Sequence, residues 1–142
     1  MNKPTLLQLP YYAIGLFPIA LILIIVVVLV RLRRTPDKIR DEAQIKEARK
    51  GIDESSMSYP NAQYKIFADR LYIAMKGFGT DEQKIYDVFN RMKTYSDVQA
   101  LVVAFGVRDG ETLSEWLNGD LSASEMAHLN AILASKSINF KF

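Results

Sequence analysis

Residues Tyr11 to Val30 read YYAIGLFPIALILIIVVVLV, twenty consecutive positions without a charge. A helix rises about 1.5 Å per residue, so such a run spans roughly 30 Å, the thickness of a bilayer's hydrocarbon core. Tyr11 and Tyr12 stand at one end, where amphipathic rings settle at the water interface, and Arg31, Arg33 and Arg34 close the other. A buried core helix apolar on every side needs a far larger protein around it. In a secretory leader the basic cluster precedes the apolar run and a small-residue cleavage site comes after it; here the basic cluster comes after the run and no such site lies near its end. The expectation is a transmembrane helix over 11–32. Pro18 either kinks it, which bilayer helices tolerate, or marks the first turn of a helix starting near Phe17.

Charge supplies an orientation. Only Lys3 precedes the run, whereas Arg31, Arg33, Arg34, Lys38 and Arg40 lie close behind it. The positive-inside rule predicts a single-pass protein with its N-terminus outside and its C-terminal domain cytoplasmic. In the membrane of a virus particle that domain would face the particle interior. Residues 1–34 hold four positive charges and no negative one, residues 35–60 five against six, and residues 61–142 nine against ten. The basic excess therefore belongs to the membrane flank. The near-neutral remainder offers no stripe for phosphates, so no nucleic-acid partner is expected. With no cysteine there is no disulfide framework, thiolate nucleophile or zinc–thiolate site.

The fold class predicted is all-α, in five parts. Residues 1–10 form a proline-marked tail and 11–32 the span. Residues 33–60 form a charged connector, with a helix over about 36–50 that starts at Thr35-Pro36-Asp37 and stops at Gly51, then a flexible loop. Residues 61–135 form a compact five-helix domain and 136–142 a C-terminal tail. In the domain the first helix presents Phe67, Leu71, Ala74 and Met75 on one face. Thr80 and Gln83 have capping-box spacing ahead of Ile85, Val88, Phe89 and Met92, and so do Ser96 and Gln99 around Val98, Leu101, Val102 and Phe105. Leu113, Trp116 and Leu117 mark a fourth helix ending at Gly119. Ser122 and Glu125 open a fifth with Met126, Leu129, Ile132 and Leu133.

Between the first two helices stands MKGFGTDE, residues 75–82. Caps alone account for most of it: Gly77 ends one helix in the left-handed region, Gly79 allows the reversal, and Thr80, Asp81 and Glu82 suit the next helix's N-terminus. The longer stretch LYIAMKGFGTDEQKIYDVF also resembles the first half of an annexin repeat, with its Met-Lys-Gly-x-Gly-Thr-Asp-Glu hallmark. FGVRDGETL is similar to the stretch before that repeat's fourth helix. The likeness covers roughly residues 64–134, a single repeat, as in short annexin-like modules of bacterial and phage proteins. It implies a calcium site built from the carbonyls of Met75, Gly77 and Gly79 with the carboxylate of Asp120. Gly119 stands where the family's spacing puts that acid, one residue earlier.

No catalytic constellation emerges. His128 is read as a surface or boundary histidine, the carboxylates of Asp109, Glu111 and Glu115 as an ordinary solvated helix start, and Trp116 as the core's largest anchor. Phe140 and Phe142 lie beyond any helix, to dock on the domain itself or on a partner. The expected function is non-enzymatic: a membrane protein presenting a helical interaction module, with a structural or adaptor role. Its partners are then the lipid bilayer and proteins of a cell-envelope complex or a lipid-containing virus particle. The alternative is a calcium-dependent binder of lipid headgroups or another surface.

Overall fold

Capping side chains open every described helix from Glu82 onward. The computed structural model describes residues 40–142, together with Ile22 and Ile25. Helix α1 includes 40–50, and a 3-10 turn occupies Glu54–Ser56. Then come α2 (Asn61–Met75), α3 (Glu82–Phe89), α4 (Tyr95–Phe105), strands β1 (Val107–Arg108) and β2 (Glu111–Thr112), α5 (Leu113–Asp120) and α6 (Ala123–Ser135). The described region is thus mostly helical. The expected span lies outside the described residues except for Ile22 and Ile25, both helical and exposed. Among the described residues no helix is long and apolar enough to cross a membrane.

Three helices carry complete capping boxes: Thr94–Asp97 for α4, Thr112–Glu115 for α5 and Ser122–Glu125 for α6. The last is the one expected. The other boundaries differ. Helix α3 is capped by Asp81, whose side chain accepts from the Lys84 N–H at 3.1 Å, not by Thr80. Helix α4 starts at Tyr95, so Ser96 and Gln99 fall inside it, both buried. Gly119 does not stop α5, which runs on through Asp120. A glycine inside a helix costs about 1 kcal/mol relative to alanine, too little to end a helix that the Thr112–Glu115 box nucleates.

The core closes around Tyr64, Phe67 and Leu71 of α2, Ile85 and Phe89 of α3, Leu101 of α4, Leu113 and Leu117 of α5, and Leu129 and Leu133 of α6, all at most 2 % exposed. Helix α2 is the central element, packing on α3, α4 and α5, while α3 meets α6. Trp116 is only half-buried. It wedges edge-on against Tyr72, ring centroids 5.5 Å apart, and its indole N–H donates to the Arg108 carbonyl at 3.0 Å. The largest buried anchors are instead Tyr64, Phe67 and Phe89.

The described residues 40–142 form one compact unit, so residues read as a connector and a tail belong to it. In α1, Ala48 and Asp41 are buried and Arg40 pairs with Glu115. The loop after Gly51 is held by Ser96, whose hydroxyl accepts from the Asp53 N–H at 3.0 Å, and by Asp97. At the other end Phe142 packs on Phe89, and its N–H donates to the Asn130 side chain at 3.1 Å. Lys136 donates from Nζ to the carbonyls of Phe89, Asn90 and Met92, closing the C-terminus of α3. Burial lowers its pKa.

Asp97 is fully buried and accepts from the Ser58 N–H at 2.8 Å, the Tyr64 hydroxyl at 2.5 Å, the Lys93 N–H at 2.8 Å and the Thr94 N–H at 3.2 Å. Burial alone would raise its pKa; these donors outweigh burial and hold it below the ordinary value. A group with a depressed folded pKa contributes stability above its unfolded value, near 3.9, and that contribution is lost as pH falls through the folded pKa. Asp97→Ala strands four donors, so the expected loss is about 3 kcal/mol or more. Urea unfolding of the chain in mild detergent, monitored by Trp116 fluorescence, measures it. The acid-side fall in stability should be shallower in the variant than in the parent.

Candidate functional site

The corner 76–81 joins α2 to α3 in a tight reversal. Gly77 and Gly79 have φ of 127° and 84°, backbone that side chains with a Cβ adopt only under strain, although open space surrounds both. The Asp81 N–H donates to the Ala74 carbonyl at 2.9 Å and the Lys76 N–H to the Tyr72 carbonyl at 2.8 Å. These bonds close the corner without using the carbonyls of Met75, Gly77 and Gly79. No hydrogen bond from a described residue falls on those three oxygens outside the helix ladder. Phe78 is fully exposed at the tip.

Asp120 arrives at this corner from the far end of α5. Its carboxylate lies near the side chain of Thr80, the residue expected as the cap of α3, close enough for Thr80 to lower its pKa. Its Oδ2 atom is buried and has no hydrogen-bond partner among the described residues. Burial raises its pKa, offset in part by the influence of Thr80. The continuation of α5 through Gly119 is what carries Asp120 there. A signal for that continuation was present in the sequence, in the Thr112–Glu115 box two turns upstream.

A two-residue ladder also shapes the neighbourhood. Val107 pairs with Thr112 and Arg108 with Glu111, and Asp109 and Gly110 make the turn at φ of 52° and 92°. Two positive φ values in a two-residue loop are the geometry Asp-Gly favours in hairpins. Asp109 accepts from the Tyr72 hydroxyl at 2.7 Å and sits 3.5 Å from Lys76 Nζ, and both lower its pKa, the tyrosine more. The Arg108 guanidinium lies over the Tyr72 and Phe105 rings and donates to Asp69 at 2.8 Å. The hairpin therefore braces the last turns of α2, from which the corner springs.

Glu115 is occupied structurally: it is held low first by the Thr112 N–H and also pairs with Arg40. His128 is exposed and meets Tyr86 edge-on, centroids 4.7 Å apart. Among the described residues no group of three or more acidic, histidine or cysteine side chains is placed to hold a metal ion. A cation at the corner would therefore rely on main-chain oxygens plus Asp120. Neither a family model, nor a curated protein, nor a solved structure matches this chain.

A carboxylate with a raised folded pKa costs stability once ionised: stability falls as pH rises from the unfolded value, near 3.9, to the folded one, and the cost is full above it. Asp120→Asn removes that charge. It should stabilise the protein at neutral pH without added cations, relieving part of a penalty of about 1–3 kcal/mol for an unsatisfied buried group. Gly79→Ala should destabilise by about 1–2 kcal/mol through its positive φ. The same unfolding assay reads both.

Proposed function

We propose that this chain is a non-enzymatic, single-pass membrane protein that presents a small helical interaction module, with a structural or adaptor role in a membrane-associated assembly. The uncharged run Tyr11–Val30 supplies the anchor in this reading. The observation that carries the module's role is an apolar surface left outside a closed core. Ile66 is 47 % exposed and Ile73 69 %, both on α2, with Phe78 fully exposed at the corner where α2 ends. Apolar side chains gathered on one element favour a partner surface over water. Affinity purification from mild detergent should recover a stoichiometric protein partner. A protein that stays monomeric and alone throughout overturns the reading.

A second reading rests on Asp120. Calcium takes six to eight hard oxygens at about 2.3–2.6 Å; among the described residues nothing donates to the three corner carbonyls outside the helix ladder or to the buried Oδ2 of Asp120. The resemblance to an annexin repeat names the same atoms, and a lipid headgroup or another anionic surface would complete the coordination. One carboxylate makes a weak site, with a dissociation constant on the order of 10⁻⁴–10⁻³ M. Millimolar calcium should raise the melting temperature of the parent and leave that of Asp120→Ala unchanged. No shift in the parent removes this reading.

A further inference from the structure

Behind the corner, α2 and α3 enclose a groove of about 270 Å³ lined by Arg70, Ile73, Lys84, Asp87, Val88 and Arg91. Its floor is apolar, with Val88 buried beneath and Ile73 standing along one wall. Lys84 pairs with Asp81 at 2.6 Å, while Asp87 accepts from the neutral amide of Gln83 at 3.0 Å and keeps its negative charge. The guanidiniums of Arg70 and Arg91 are exposed and have no hydrogen-bond or ion-pair partner among the described residues. The groove thus pairs a greasy slot with two exposed guanidiniums, whose positive charges exceed the single negative charge of Asp87. A guanidinium is a planar fork of donors, suited to a carboxylate approached edge-on.

We propose that this groove is the docking site for an acidic segment of a partner protein, seating an apolar side chain between Ile73 and Val88 and its carboxylates on Arg70 and Arg91. The proposal deepens the interaction-module reading and rests on it. Charge complementarity selects the occupant. The chain's own residues 1–34 carry four positive charges and no acid, so they would meet the two arginines with like charge. A second copy docking through the same face would gather both arginine pairs into one interface, with only Asp87 and its counterpart to offset them. Like charges brought together and desolvated are penalised. A bilayer is a flat surface and does not reach the buried floor at Val88.

The test is selection of a random displayed-peptide library on the full chain in lipid nanodiscs. The parent and Arg70→Glu/Arg91→Glu are compared, with Ile73→Asp as a second variant and Trp116 fluorescence as the check of folding. Both arginines are exposed and unpartnered among the described residues and Ile73 is largely exposed, so none of these changes disturbs the core. The parent should enrich peptides with acidic residues around a leucine, isoleucine or phenylalanine. Resynthesised, those peptides should bind the charge-reversed variant at least about tenfold more weakly, as expected for losing charge-assisted pairs, and Ile73→Asp should also weaken them. Equal binding by the parent and both variants overturns the groove while leaving the interaction module standing at another surface. So does recovery of the native partner in equal yield from parent and charge-reversed protein. No enrichment on the parent overturns the groove. So does arginine-dependent capture of phosphatidylserine vesicles without peptide selection, which would make a lipid surface the occupant.

Discussion

Asp97 ties three separate stretches of chain into one unit. It takes a backbone donor from the loop before α2, the Tyr64 hydroxyl from α2 itself, and two backbone donors from the turn that starts α4. A buried carboxylate without such donors is a liability of several kcal/mol. With four of them it holds its charge despite burial. Those bonds also set the position of Tyr59, which meets both Tyr64 and Phe67 edge-on, at 6.0 and 5.3 Å between centroids. Tyr59 in turn donates its hydroxyl to the Arg91 carbonyl at 3.0 Å, beyond the end of α3. One aspartate therefore orders the loop, lids the aromatic core and registers α2 against α3 and α4.

Asp120 is its counterpart with the opposite balance. Both carboxylates are drawn out of water, yet Asp97 is saturated with donors and Asp120 keeps a buried oxygen with none among the described residues. Their pKa values move apart accordingly, Asp97 down and Asp120 up. A group whose protonation is shifted by burial and left short of donors stands out as a candidate for binding work. A saturated one is explained by the fold alone. The distinction separates the two acids without reference to any resemblance, and it points to the same corner that MKGFGTDE marks.

Much of the helical core was legible because its apolar positions recur at helical spacing: Phe67, Leu71, Ala74 and Met75, and Ile85, Val88 and Phe89, are all buried. Boundaries were less legible, since Thr80, Asp81, Thr94 and Ser96 all have capping chemistry, and only packing decides which is used. Ser96 and Asp97 are consumed by contacts to residues some forty positions earlier, a competition invisible in a local window. The same applies to 40–60 and 136–142. Their few apolar residues, such as Ala48, Ile138 and Phe142, become informative only once a surface exists to receive them. The hairpin was signalled by Asp-Gly, but its strands are too short for any alternation to show. At the corner the glycines and Asp120 were readable, whereas the orphaned Oδ2 depends on how far α5 continues.

Helix α2 concentrates what this domain offers to the outside. Its inner face supplies Tyr64, Phe67, Leu71 and Met75 to the core, and its outer face keeps Ile66, Arg70 and Ile73 in water. The hairpin braces its last turns through Tyr72, Lys76 and Arg108, so the corner beyond it is held by contacts other than its own. Rigid support beneath an exposed edge reduces the ordering cost that binding would otherwise incur. Nothing in the core requires Ile73 or Phe78 to be apolar, because neither is buried. Single exposed apolar residues are common on any surface. Here Ile73 sits on a braced helix beside the exposed guanidiniums of Arg70 and Arg91, unpaired among the described residues. That coincidence of exposed apolar surface and exposed charge is what supports proposing this face as an interaction surface.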